Sequence, residues 1–434
     1  MRSCNQKATR MGILLIVSVM VGGQYVLAET DAKATAASAS PPVSTNSITE
    51  IANVAQGKGL DWLKSMQKEN GSWSDENFPA MTALGLWAFA RSSHPDRSNV
   101  CAKAAAFIAG FAQEDGGLYK RSAGGHGSGG LSTYNTAICM TALHIYDQQR
   151  YAEVILKARE FVAHSQLQGD SPGAGGFGYD SKPQYTPDRE TLVKMMTERA
   201  KSEGLPSPTE EEITQMMGRR KRMGAMSRAD LSNTGWALMA MRLTQGIEDL
   251  RPSGSKRVDV DWVAATNFIA KLQNQDPDDS EQYGGFGYEM HGERGGVVVD
   301  RKKETVKLRG YGSMTYAGLE SLIYAQVRRD DPRVVSSLQW AARHWSVDEN
   351  PGMGIKGLYY YYNIMSKALS LTGSDVMVGD RGKQIPWKTE LVRKLTALQQ
   401  ADGSWVNQDN QYWENNAVLV TTYVILTMQN CLAH

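Results

Sequence analysis

The sequence predicts an all-α protein of about six helical hairpins with one helical insertion. Three observations carry this. A unit of amphipathic helix, glycine turn and second apolar helix recurs along nearly the whole chain. Each turn repeats the same residue types in the same order, and a single stretch breaks the period.

The first copy reads LDWLKSMQKENGSW followed by PAMTALGLWAFA, and the second AAAFIAGFAQEDGGLY followed by STYNTAICMTALHIY. The third joins AREFVAHSQLQGDSPGAGGFGYD to DLSNTGWALMAMRL, and the fourth ATNFIAKLQNQDPDDSEQYGGFGYE to YGSMTYAGLESLIYA. A weaker fifth pairs SLQWAARHWSVDENPGMG with LYYYYNIMSKALSL, and the sixth LVRKLTALQQADGSW with NNAVLVTTYVILTM. Apolar residues fall at helical spacing, as in Phe107, Ile108 and Phe111 or Leu391, Leu395 and Leu398. The glycines end each first helix and turn the chain back. The aromatic that follows them (Trp73, Tyr119, Phe177, Phe286, Trp405) is placed to pack across its hairpin. One hairpin cannot bury both faces, so neighbours must stack, as an open solenoid or a closed ring.

The turns Gln67 to Trp73, Gln113 to Tyr119 and Gln399 to Trp405 follow a Q-x-x-D-G-S-W type. This closely resembles the turn repeat of squalene and oxidosqualene cyclases and of protein prenyltransferase β subunits. The resemblance spans roughly Gly57 to Leu432, and the blocks GGFGY, DLSNT, GSMTYAGL and LYYYY are very like those of exported members of the prenyltransferase and squalene-oxidase-repeat group. It implies an α/α toroid, a barrel of inner and outer helices. It implies no single activity, because the toroid hosts several.

Residues 181–229 interrupt the third repeat. Thr186-Pro187 and Ser207-Pro208-Thr209-Glu210 look like helix starts, the second with a capping box, so two helices are expected to project from one rim. The run Arg219 to Arg222 reads as the solvated end of the second helix, with a protein partner at the 181–226 rim as the functional alternative. Val297 to Val299 and Thr305 to Leu308 are expected to pair as a small β-hairpin over the same rim.

The N-terminus is organised differently. Arg2, Lys7 and Arg10 precede the apolar run from Met11 to Val21, and Val26-Leu27-Ala28 forms a small-residue exit. This layout predicts a signal peptide over residues 1–28, export to a periplasmic or extracellular location, and no transmembrane segment after cleavage. A membrane anchor is the alternative, for which the run is short and interrupted by Gly22 and Gly23. Residues 29–47, rich in Ala, Ser, Thr and Pro, read as a disordered linker ahead of a toroid domain over 48–434. The net charge of +1 offers no global electrostatic case for nucleic acid. The three cysteines beyond the leader, Cys101, Cys139 and Cys431, demand no disulfide.

The residues match none of the chemistries of the related toroids in full. The resemblance aligns the prenyltransferase zinc ligands with Asp230, Ser232 and the Tyr361 region; two of the three positions hold poor ligands, so no metal is expected. Asp276-Pro277-Asp278-Asp279 matches the D-x-D-D acid motif of squalene-hopene-type cyclases, but lies in a turn instead of leading into an apolar helix. No cysteine has the downstream Glu-Gln pair of a thioester ring, and the residues imply no cofactor. What stands out is the end of the ring where second helices begin. Tyr134, Asp230, Asn233, Arg309, Tyr311, Tyr361 and Trp413 are the candidate binding residues there. The expected function is binding of an apolar or extended ligand, isoprenoid-like lipid or polymer, or of a protein partner. A terpenoid-cyclase-like isomerase with an altered acid is the alternative.

Overall fold

In the computed structural model the described residues are 45–73, 75–121, 131–181, 193–194, 196–198, 200–201, 206–214, 229–290, 296–300 and 305–433. Among the described residues, twelve long α-helices alternate between two layers. The outer ones are α1 (Thr45–Ser65), α3 (Arg97–Ala109), α5 (Ala152–His164), α7 (Trp262–Lys271), α9 (Pro332–Arg343) and α11 (Trp387–Ala397). The inner ones are α2 (Pro79–Ala90), α4 (Ser132–Asp147), α6 (Leu231–Leu243), α8 (Gly312–Tyr324), α10 (Leu358–Leu371) and α12 (Ala417–Leu432). Each inner helix packs on the next, and α12 packs back on α2, while α1 packs on α11 and α12. The ring is closed, and the fold is an α/α toroid.

Burial follows the layers. All twelve residues of α2 are buried, and so is nearly all of α12, as their unbroken apolar sequences require. Outer helices bury one stripe, Val100, Cys101, Ala104, Ala105 and Ile108 in α3.

The turn residues weld the wall. The side-chain amides of Gln67, Gln166, Gln273 and Gln399 each donate to a carbonyl of their own turn and to one on or just before the next outer helix: Val100, Asp261, Arg333 and Ala55. The last of these joins the sixth repeat to the first and closes the circle. Gly175 and Gly284 have φ of +90° and +89°, and a Cβ on either would lie 2.0 Å from the carbonyl oxygen of Ala264 or Ser336 on the next outer helix. Only glycine permits both the turn and that approach. The amide of each turn's packing residue (Trp73, Leu118, Phe177, Phe286, Trp405) donates to a threonine on the second helix: Thr82, Thr136, Thr234, Thr315 and Thr421. The weaker fifth repeat lacks this bond among the described residues.

The rim hairpin forms as expected, Val297 pairing with Leu308 and Asp300 with Thr305. A second small hairpin, Met377–Val378 with Gln384–Ile385, was not anticipated. In the insertion, Thr209 and Glu212 make a reciprocal capping box ahead of a short helical stretch. The proposed leader, most of the linker, Thr186-Pro187 and Arg219 to Arg222 lie outside the described residues; α1 itself begins at Thr45, just inside the expected linker. Among the described residues no helix is long and apolar enough to cross a membrane. Cys101, Cys139 and Cys431 are buried and free.

Candidate functional site

All inner helices begin at one end of the ring, and the first turns of five of them are tied to the following repeat. The Ala80 amide donates to Asn135 Oδ1, Ser132 to Asp180, Leu231 to the Tyr288 carbonyl, Ser313 to Asn350, and Tyr360 to Glu414. These bonds satisfy helix amides that would otherwise be orphaned, so several polar residues at the mouth have a structural duty. Asp230 is one: its carboxylate accepts from the Asn233 amide at 2.8 Å and from Asn233 Nδ2 at 2.7 Å. Glu414 is another, fully buried under the first turn of α10. Burial raises its carboxyl, and bonds from Asn407 and the amides of Tyr360, Tyr359 and Leu358 oppose that rise.

Around the axis stands a collar of tyrosines. Tyr134 packs on Tyr179 and edge-on to Trp236, and its hydroxyl meets that of Tyr423. Tyr360 packs on Tyr423, and its hydroxyl shares a 2.7 Å hydrogen bond with Ser232. Tyr134, Tyr179, Ser232 and Tyr360 all keep accessible surface although they stand inside the ring. Burial raises the hydroxyls of Tyr134, Tyr360 and Tyr423 far above their ordinary value, so they remain neutral donors.

Deeper along the same helix faces lies a buried charge pair. Lys367 of α10 sits 3.3 Å from Glu320 of α8, and its ammonium lies 3.9 Å from the centre of the Trp236 ring. Met239 sulfur is 3.8 Å from Nζ. Burial pulls the lysine down and pushes the glutamate up, and each partner opposes the other's shift. Below the pair, Asn430 joins Ser366 to Arg91.

Of the sequence candidates, Tyr134 is in the collar. Tyr311 is buried at the mouth, its hydroxyl raised by burial and by Tyr412, Asp230, Tyr179 and Glu289 nearby. Asp230 and Asn233 cap α6 beside it. Trp413 is half exposed and packs edge-on against Phe78, just before α2, and Arg309 is exposed on the rim. Tyr361 turns away from the mouth: its hydroxyl donates to the Ser346 carbonyl at 2.8 Å, between the layers. Four consecutive tyrosines on a helix cannot face one way, and Tyr360 is the one that takes the axis. Sequence reasoning singled out Tyr361 within that run instead of Tyr360, and missed Tyr423, Trp236 and Lys367. The spacing Tyr360, Asn363, Lys367 on an otherwise apolar helix was the available signal.

The acid motif resolves as structural. Asp276 and Asp279 are bridged by Lys307 at 2.7 and 3.1 Å in a partly exposed turn below the rim hairpin, away from the inner helices. At the zinc-like positions, Ser232 bonds Tyr360 and Tyr361 faces the wall.

No protein-family model matches the chain, and no curated protein matches it. Solved structures do. A variant of the type II terpene cyclase MstE from Scytonema, in complex with merosterolic acid A as product, is 12% identical, covering 89% of this chain and 98% of that one, with a TM-score of 0.50. Another variant of that cyclase, in complex with geranylgeranyl dihydroxybenzoate as substrate, is also 12% identical, over 89% and 99%, at a TM-score of 0.50. At this identity the likeness is one of fold, and this chain has a terpene-cyclase-like toroid.

Proposed function

We propose that the chain is an exported binding protein that takes one elongated, apolar ligand of the isoprenoid class through the mouth onto the ring's axis. The observation that carries this reading is the collar: Tyr134, Tyr179, Ser232 and Tyr360 keep accessible surface inside a ring whose walls are otherwise buried. An aromatic passage with a few neutral donors suits a chain of apolar carbons with a small polar end. The likeness to a cyclase that holds an isoprenoid substrate supports the ligand class. A protein partner at the 181–226 rim would be an additional role, on which this reading does not depend.

Isomerisation is the second reading, favoured by Glu320, a carboxyl raised by burial among aromatic rings. Its neighbour weighs against it: an acid paired with an amine at 3.3 Å delivers its proton there before an alkene. Organic extraction of the purified protein, followed by mass spectrometry, separates these outcomes. The binding reading expects one unmodified isoprenoid-like compound per chain, and an added linear polyprene recovered unchanged. Recovery of a cyclised product would favour the enzyme, and an empty extract from a protein that takes up no polyprene would contradict both.

A further inference from the structure

The deepest polar groups on the axis are not matched to one another. Asn363, one turn above Lys367 on α10, is fully buried, and neither its Nδ2 nor its Oδ1 has a hydrogen-bond partner. Trp236 Nε1, on the ring below the ammonium, is likewise without one, while Glu320 Oε1 has Lys367 Nζ at 3.3 Å. A buried amide left unpaired in all its valences carries the uncompensated loss of its hydration, and such groups mark a place where something else binds. The mismatch has a sign. The unpaired donors, Asn363 Nδ2 and Trp236 Nε1, outnumber the one unpaired acceptor, Asn363 Oδ1, so the missing partner is an acceptor.

From this we infer that Asn363, Lys367 and Glu320 form a subsite for a carboxylate, the polar end of the elongated ligand, seated roughly 10 Å below the tyrosine collar, as seven residues of helix require. The inference rests on the binding reading above and deepens it. Lys367 and Asn363 Nδ2 donate to the carboxylate oxygens, and Trp236 floors the site.

Charge balance then dictates a proton. Lys367 and Glu320 together hold one titrating proton and no net charge, whichever of the two carries it. A carboxylate entering this space brings one negative charge, and a net charge without water is costly there. The site returns to neutrality by taking one proton from solvent onto Glu320. Lys367 is then an ammonium, Glu320 a neutral acid that donates to the ligand, and the ligand an anion. No covalent bond forms or breaks apart from this protonation.

Calorimetric titration of the purified chain with farnesoic acid and with farnesol at pH 7, each in two buffers of different ionisation enthalpy, tests the inference. The acid should bind about tenfold or more tightly than the alcohol, the worth of one charge-assisted contact, with uptake of about one proton per ligand. Glu320→Gln should keep acid binding and the uptake, the proton then going onto Lys367, which burial holds neutral once its carboxylate partner is gone. Lys367→Met should lose the preference for the acid while retaining the alcohol. The double variant, which leaves no charge unpaired, should bind the alcohol and acid alike. If both probes bind the unaltered protein equally, or the acid binds without proton uptake, the subsite is wrong while the binding reading survives. If neither probe binds, both fall together.

Discussion

Oppositely charged side chains are buried together in the wall of this ring and on its axis, and the two sites are built in opposite ways. In the wall, Glu248 on the turn after α6 accepts from Arg159 and Arg251 at 2.7 Å each and from the Val258 amide at 3.1 Å. Arg159 directs its other N–H groups to the Met241 and Val258 carbonyls and to Thr244, and Arg251 also pairs with Glu160. On the axis, Lys367 and Glu320 have each other, a ring face and a thioether. A saturated network holds a protein together. An unsaturated pair at the end of an aromatic passage adds little to stability and is poised to meet a ligand.

The largest expected effect is in the wall. Glu248→Gln leaves Arg159 and Arg251 buried with half their partner gone, and should cost about 3–5 kcal/mol in denaturant unfolding. A loss under 1 kcal/mol would erase the contrast. The acid limb carries the same information. Burial alone would raise the Glu248 carboxyl, but the two arginines and the Val258 amide hold it down at about 2. Its contribution is therefore complete above about pH 4.5 and lost as pH falls from there towards 2. The variant should lose that slope. Glu320 runs the other way: its shift is upward, so its contribution is present at low pH and lost as pH rises through the folded value.

Next in size is the weld between repeats. Gly403 has φ +96°, and a Cβ there would stand 2.7 Å from the Lys58 carbonyl oxygen, across the seam that closes the ring. Gly403→Ala should cost about 2 kcal/mol from strain and displacement of α1. An unchanged thermal midpoint would mean that the sixth repeat does not need its seam with the first.

The smallest effect is predicted on the axis. Replacing both Glu320 and Lys367, as Gln and Met, should leave stability unchanged or raise it by about 1–2 kcal/mol, since a buried pair returns little of its desolvation cost. A loss of 3 kcal/mol or more would make the pair another structural staple.

Much of the wall was legible in the sequence, because the turn staples repeat, whereas the Arg159–Glu248 pair joins distant residues once. The glutamine, the positive-φ glycine and the turn aromatic recur in order, and the glycine spacing alone placed the hairpins. The aligned threonines recur as well, yet their role emerges only when the turn's amide is seen to need an acceptor. The mouth was half legible. Tyr134, Asp230 and Tyr311 gather where the helix starts were expected to meet, but Asp230 and Glu414 also cap helices, a duty set by neighbouring repeats. Within LYYYYN, sequence could not say which tyrosine faces the axis, since that depends on the rotation of α10 against α8 and α12. Lys367 and Glu320, forty-seven residues apart by their numbering, meet only because consecutive inner helices stand side by side.

The central claim is that the axis of the ring is the binding site. Native mass spectrometry of the chain mixed with farnesol, compared with a Ser232→Trp variant that fills the collar beside Tyr360, tests it most directly. The account predicts about one farnesol per chain on the unaltered protein and none on the variant, with the variant's thermal midpoint unchanged. Equal occupancy of the two proteins would contradict it and move the site to the outside of the ring.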